Sequence, residues 1–349
     1  MIQSNAYARI CFFGDHQDYL NLPVIAGTID RKIHLNAEPN NAGIYNLQLI
    51  DIDQHVKIDL NENIKSITNG DYFRSGLELL RKKGFSFSQG YDIEISGDIP
   101  VSAGVSSSSA LVVMWLRFLV KAQDTQIIPS KEQLGHWSYE AEVLYFNQPG
   151  GLMDQYTLAQ EGVLFIDTKT GITTPLTANL GSLVLAESGI SKQTLNVLKN
   201  ARIYGQEAIK AVQQIDKNFD IFSADSSDME KYMPFVPNLY KNHWKAAVLN
   251  YNITLKAKDL LLHSNPDIQQ LGELMNEHQF LLQECIQNTP EPMITQMNAA
   301  RKAGALGAKI IGSGGGGCMV AITTKGKEKS VATAFIKAGA KNAYTVQLT

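Results

Sequence analysis

At 349 residues, with 44% hydrophobic and 19% charged side chains, the chain is long for one domain, comfortable for two, and too apolar for large disordered tails. A formal net charge of -3 without a block of Lys or Arg speaks against nucleic acid as a partner, and no stretch approaches the roughly 18 uninterrupted apolar residues of a membrane span. Cys11, Cys285 and Cys318 lack CxxC spacing and argue against a disulfide framework or a cysteine zinc site; with no signal-like pattern in residues 1–10, the expectation is a reduced, soluble, cytoplasmic protein.

The first apolar run, Ile10-Cys11-Phe12-Phe13, predicts a strand ended by Gly14, with Arg9, Asp15, His16 and Asp18 crowded beside it. Carboxylates and an imidazole suit sugar hydroxyls, because they donate or accept in fixed directions. A metal site and a plain polar turn are the other readings of this segment. Residues 44–60 alternate and predict strands around a turn, and 91–95 predict another short strand.

Residues 100–110, Pro-Val-Ser-Ala-Gly-Val-Ser-Ser-Ser-Ser-Ala, follow a strand and open an apolar run through Val120 that predicts a buried helix. At such a helix start the backbone N–H groups have no intrahelical partner and the dipole is positive, so a polyphosphate binds well. Gly104 and the small side chains of Ser106, Ser107 and Ser108 let phosphates approach the backbone, and the hydroxyls can donate to oxygens or ligate a divalent ion. A serine-rich N-cap is the competing reading, but four consecutive serines exceed what one cap requires. A Walker A loop, GxxxxGK[ST], does not occur in the chain.

Residues 131–146 predict a second helix, with Ser130 as N-cap and Gln133 in capping-box spacing. This helix carries Glu142, and Asp154 follows in Gly150-Gly151-Leu152-Met153-Asp154-Gln155. Phosphoryl transfer from ATP needs a magnesium ligand and a group that orients or deprotonates the attacking hydroxyl. Glu142 and Asp154 can supply one each, although most Asp and Glu residues, taken singly, are solvated surface groups. Residues 162–166 predict a strand ending at Asp167.

A domain boundary is expected within 170–190, dividing the chain into 1–180 and 181–349. Asn265-Pro266 and Thr289-Pro290 each predict a capping residue before a proline at the first helical position, opening amphipathic helices over 267–286 and 291–303. Lys309-Ile310-Ile311 and residues 318–323 predict two strands joined by the glycine run 312–317. Four consecutive glycines favour a close-packed role over a flexible hairpin. His34, His136 and Trp137 read as packed or surface residues.

Taken in this order, Arg9 through Tyr19, the serine stretch and residues 311–319 resemble the three motifs of the GHMP kinase superfamily, over most of the chain from Arg9 to about Ala321. The resemblance implies an α+β fold of two domains, a ribosomal protein S5 domain 2-like N-terminal domain and a ferredoxin-like C-terminal domain, with the site between them. It implies an ATP- and Mg2+-dependent small-molecule kinase, monomer or homodimer. Asp154 falls on the family's catalytic aspartate and Arg9 on the basic residue beside it. Ser106, Ser107 and Ser108 fall on the phosphate loop, with Ser108 and Glu142 on the magnesium ligands. Gly314 and Gly315 belong to the motif that packs against that loop, and Asp15, His16, Asp18 and Gly151 would line the sugar.

Asp15-His16-Gln17-Asp18-Tyr19 and Gly151-Leu152-Met153-Asp154-Gln155 look like galactokinase motifs, whereas Leu271 to Met275, residues 303–309 and Pro23 look more like mevalonate kinases. Asp15 replaces the usual Glu and shortens that arm, and Tyr7-Ala8 replaces the usual Pro-Gly. The expected reaction is phosphorylation of a sugar hydroxyl, the anomeric one. Mevalonate is the rival substrate, and a catalytically silent sugar- and ATP-binding sensor is the rival of another class.

Overall fold

A computed structural model of the chain describes residues 1–62, 66–100, 104–177, 179–191 and 194–349, with the side chains of 194–197 left aside. Residues 101–103 of the serine stretch lie outside the described residues. The chain forms two compact units, one of residues 1–9, 28–101 and 106–161, the other of residues 10–27, 102–105 and 162–349.

The first unit is built on β1 (Ile2–Phe13), β2 (Val24–Asn40), β3 (Ile44–Leu49), β4 (Gln54–Asp59), α1 (Tyr72–Lys82), β5 (Gly90–Gly97), α2 (Ser107–Ala122), α3 (Lys131–Tyr139) and α4 (Met153–Gln160). Its strands run in the order β4-β3-β5-β2, with β1 also paired to β2. The alternation read over 44–60 is the antiparallel β3–β4 hairpin, in which Leu47 faces Val56, while β3 and β5 run parallel. Every second residue points to one face, so Tyr45 and Leu47 enter the core together with Ile93 and Ile95. The continuous apolar pattern of α2 buries most of its surface, and Trp115 meets Tyr45 and Phe73 edge to face while its indole N–H donates to Phe73 O at 2.9 Å.

Ser130 caps α3 with the reciprocal Gln133 capping box that the spacing predicts. The helix does not run on as plain α-helix, however. Residues Glu140–Leu144 widen into a π turn, with Tyr145 N donating to Glu140 O at 2.9 Å.

The second unit contains the last residues of β1 and the first of β2. It adds β6 (Val163–Asp167), β7 (Ile172–Leu176), β8 (Ser182–Glu187), α5 (Thr194–Ile215), α6 (Ser226–Tyr232), α7 (Lys241–Leu261), α8 (Ile268–Leu281), α9 (Glu291–Lys302), β9 (Ala305–Ile310), β10 (Cys318–Thr323), α10 (Glu328–Lys337) and β11 (Asn342–Val346). Val24 to Gly27 pair with β6, and β6 with β7, both antiparallel. The remaining four strands form a sheet in the order β11-β8-β10-β9, antiparallel throughout, which is the ferredoxin-like order. β10 lies inside this sheet and is buried at every position. Met319, Ala321, Ile310 and Val184 pack there against Met293, Met297, Val331 and Phe335 of α9 and α10. A second core forms around Trp244, Val248 and Tyr251 of α7 with Ala208 and Val212 of α5.

Two helix starts differ from the sequence expectation. Asp267, not Asn265, caps α8, because its carboxylate accepts from both Gln269 N and Gln270 N, so Pro266 precedes the cap. At α9 Pro290 itself occupies the cap position and Pro292 lies in the first turn, where a missing N–H loses no helical bond.

Candidate active site

In the first unit the predicted residues gather around Asp154, in the first turn of α4, where free N–H groups favour an anion. Arg9, buried in β1, grips the carboxylate with two N–H groups: Nε donates to Oδ1 at 2.7 Å and Nη2 to Oδ2 at 2.9 Å. A buried guanidinium requires such a partner, and the bidentate fork fixes the carboxylate in plane. The Ser106 hydroxyl donates to Oδ2 as well. Ser106 occupies the N-cap of α2 in the left-handed region (φ 61) and leaves the cap role unfilled, its side chain being spent on Asp154. A strained non-glycine residue at this place fits a functional position. The Asp154 side chain retains 25% exposure, so an acceptor hydroxyl can reach it.

Glu142 sits inside the π turn at 6% exposure. Gln155 Nε2 donates to its Oε2 at 2.6 Å. Burial pushes the Glu142 carboxyl above the usual carboxylate range, against the pull of Gln155 and the hydroxyls of Ser109 and Ser108, with the Asp154 charge adding to the rise. Ser108 itself is exposed. A carboxylate and a serine hydroxyl are hard oxygen donors, the set that suits Mg2+ completed by phosphate and water, so these residues fit the ion. Gly104 takes a left-handed backbone (φ 89), Ser107 is half-buried in the first turn of α2, and Gly151 is half-buried in the loop before α4.

In the second unit β1 ends before Gly14, where the φ of 91 disfavours a side chain and a Cβ would fall 2.7 Å from Pro23 O. Asp15 turns wholly inward. Its Oδ2 pairs with Lys309 Nζ at 2.5 Å and its Oδ1 accepts from Gly312 N at 2.9 Å, both side chains being fully buried. Lys309 spends its other protons on Cys11 O at 3.1 Å and Ile310 O at 2.6 Å. Burial, the largest influence, would raise the Asp15 carboxyl, but the Lys309 ammonium, His278 and the hydrogen bonds from Lys309 and Cys11 together hold the group below the usual range. Burial and the same ammonium push His278 down to about 3, so its ring, stacked on Phe13, is a neutral wall.

His16 is also inside: Nδ1 lies 2.7 Å from the Tyr19 hydroxyl, and Nε2 lies 3.0 Å from both Ser313 O and Asn288 Nδ2. Asp18 opens the short 3-10 turn Asp18–Leu20, half-buried, with Oδ1 accepting from Tyr19 N at 2.9 Å. The glycine run is close-packed. Gly315 N donates to Asn288 O at 2.6 Å, and a Cβ on Gly314 would fall 2.4 Å from the same oxygen.

The first unit thus brings together Arg9, Ser106, Ser108, Glu142 and Asp154, and the second brings Asp15 and His16 to the glycine run. Sequence reading left out Lys309, Asn288 and Gln155. A lysine between Ala308 and Ile310 in an apolar strand was the available signal, because a buried ammonium demands an acidic partner. Asn288 carried none. His136 is exposed and Trp137 half-buried beneath Lys83, surface and packing roles as read from the sequence.

The model of the GHMP kinases N terminal domain matches residues 71–162, and that of the GHMP kinases C terminal matches residues 257–341. The mevalonate kinase of Thermococcus onnurineus is 27% identical over 350 residues, covering 97% of this chain and 93% of its own. The galactokinase of Pyrococcus furiosus is 25% identical over 346 residues, covering 94% and 91%. Among solved structures, Lactococcus lactis galactokinase complexed with galactose superposes with a TM-score of 0.87 at 20% identity over 99% of this chain and 93% of that one. Methanococcus jannaschii mevalonate kinase does so at 0.75 and 17% over 100% and 98%. With both family domains matched in order on a chain that carries the family's two-domain α+β fold, the protein belongs to the GHMP kinases.

Proposed function

We propose that this kinase transfers the γ-phosphoryl group of ATP to a sugar hydroxyl, the anomeric one, with Mg2+ as cofactor. The observation that carries the reading is the Asp154 carboxylate, gripped by two Arg9 N–H groups and the Ser106 hydroxyl yet partly open. The bond between the γ-phosphorus and its bridging oxygen breaks, a bond to the sugar oxygen forms, the hydroxyl proton passes to Asp154, and ADP leaves. Arg9 offsets the negative charge that develops in the transition state. Gly104, Ser106, Ser107 and Ser108 at the start of α2 receive the phosphates, together with Gly314 and Gly315. Glu142 and Ser108 would hold Mg2+, which would neutralise phosphate charge. We assign ATP binding to a domain of residues 1–180 and the family's C-terminal domain to 181–349; the two family matches fall on either side of this division.

On the acceptor side, Asp18 and Gly151 meet the sugar, while Asp15 and His16, committed to Lys309 and Asn288, shape the wall behind it. A half-buried carboxylate at Asp18 suits a neutral polyol and repels a hydroxy acid. Lys309, the cation paired with Asp15 in the same unit, is sealed with its three protons used. Mevalonate remains the second reading, favoured by the relatives of that name that align with 97% of the chain.

The test is Mg2+-dependent ADP release over galactose, other free aldoses, uronic acids and mevalonate, with Asp154→Asn as control. Turnover with one sugar, reduced about 10²–10⁴-fold by Asp154→Asn while nucleotide still binds, is the expected result. Turnover with mevalonate alone would overturn the sugar reading. Full activity of Asp154→Asn would remove the role given to that carboxylate.

A further inference from the structure

Asn288 follows a second π turn, Leu282–Ile286, after which Gln287 takes a left-handed conformation (φ 57) and redirects the chain. Asn288 is 2% exposed. Its Nδ2 lies 3.0 Å from His16 Nε2 and donates to Ser313 O at 3.2 Å, Oδ1 accepts from Thr289 Oγ1 at 3.3 Å, and its carbonyl accepts from Gly315 N. A surface turn has no need of an amide used so fully.

The protons on His16 follow from these contacts. Nε2 cannot both donate to Ser313 O and accept from Asn288 Nδ2. Turning the Asn288 amide over would set Oδ1 against the Ser313 carbonyl oxygen at 3.2 Å, two acceptors in contact, although Nδ2 could then donate to Thr289 Oγ1. In the orientation that keeps the Ser313 bond, the two Nδ2 hydrogens have acceptors only if Nε2 offers its lone pair. His16 is then the Nδ1–H tautomer and donates to the Tyr19 hydroxyl. Tyr19 in turn belongs to the 3-10 turn that Asp18 opens, and its own N–H holds Asp18 Oδ1.

We propose that Asn288 is a positioning residue for the phosphoryl acceptor: it sets the tautomer of His16 and, through Tyr19, the placement of Asp18. The same residue ties this strut to the glycine run through Gly315, which must approach it too closely for Gly314 to carry a side chain. The proposal rests on Asp18 as an acceptor contact. Removing the Asn288 donor releases Nε2 to become N–H and donate to Ser313 O, and the imidazole then meets Tyr19 with a lone pair instead of a proton. Asp18 is re-aimed, while the phosphate-binding serines of α2 are untouched.

The test uses the full chain labelled with 15N-histidine, with His16 signals identified by their loss in His16→Gln. Long-range 1H–15N correlation spectra of the wild type are expected to show a protonated Nδ1 and a bare Nε2. In Asn288→Asp, which keeps the shape but replaces a donor with an acceptor, the pattern reverses to Nε2–H. The KM for the acceptor rises about tenfold, the loss of one buried hydrogen bond, with KM for ATP within about twofold of wild type. A wild-type Nε2–H tautomer, or acceptor and ATP KM values that move together, would overturn the proposal. Should Asn288→Asp fail to fold, the wild-type spectrum decides the tautomer and Asn288→Ser supplies the kinetic comparison. The spectrum does not depend on the acceptor's identity. Turnover with mevalonate alone would overturn the sugar reading and, with it, Asp18 as the acceptor contact; a wild-type Nε2–H tautomer overturns the proposal whatever the acceptor.

Discussion

The Asp15–Lys309 pair carries the largest electrostatic stake among the residues described. Both side chains are fully buried, and their charges are tolerable only because each neutralises the other and the remaining donors and lone pairs are filled by Cys11 O, Ile310 O and Gly312 N. The pair ties the end of β1 to β9 and to the first glycine of the run. Lys309→Met leaves a buried carboxylate without a cation, and we expect a loss of about 3–5 kcal/mol of stability in urea unfolding. Combining it with Asp15→Asn should return part of that loss, because a neutral amide then replaces the stranded charge. An unchanged unfolding midpoint in Lys309→Met would mean that water reaches the pair. The lowered Asp15 carboxyl gives its stabilisation above about pH 3.9 and loses it as pH falls through the folded-state value, so this clamp opens on the acid side.

At the scale of elements, the helix that carries Glu142 is held from its start and shaped at its end. The capping box joins Ser130 Oγ to Gln133 N and Gln133 Oε1 to Ser130 N, at 3.2 and 2.9 Å. Ser130→Ala is expected to cost about 0.5–2 kcal/mol, read as a lower melting temperature. The capping box was legible because both partners are three residues apart in sequence. The π turn was not. It inserts a residue where Ala141 and Glu142 meet the interior, with the Ala141 carbonyl accepting from Ser75 Oγ at 2.9 Å, a partner that spacing along one helix does not reveal. The helix caps of α8 and α9 fell one or two residues from expectation for a related reason. Several candidates crowd each start, and only the backbone path selects Asp267, whose carboxylate reaches two N–H groups, at α8 and Pro290, which makes no side-chain cap bond, at α9.

For the whole molecule, a ligand of this kinase family is expected to raise overall stability by binding the folded chain. A Mg2+–nucleotide complex that binds only the folded state at a hundredfold over its Kd stabilises by about 2.7 kcal/mol. We therefore expect a clear rise in melting temperature with Mg2+ and a non-hydrolysable ATP analogue, reversed by EDTA. Glu142 separates the two contributions. Its folded carboxyl titrates above its unfolded value, so its contribution favours folding below about pH 4.3 and is lost as pH rises through the raised value. At pH 8 Glu142→Gln should melt no lower than wild type without ligand, yet lose the Mg2+-dependent rise. A Glu142→Gln protein that keeps this rise would show that the ion is held elsewhere.

The sequence by itself determined what is written in contiguous residues: the β3–β4 alternation, the buried run of α2, the capping box of α3, the serine stretch and the glycine run. The resemblance to the kinase family was carried by the Arg9 to Tyr19 segment, the serine stretch and the glycine run, each of which stands in contiguous residues. Only the tertiary structure decided which charges and amides meet. Arg9 pairs with Asp154 across 145 positions, Asp15 with Lys309 across 294, and His16 with Asn288 across 272. It also gave Asp15 and His16 protein partners that the sequence did not name, Lys309 for the one and Ser313 and Asn288 for the other. Spacing along a chain fixes neighbours on one helix or strand, whereas the partner of a buried charge is chosen by the packing that excludes water around it.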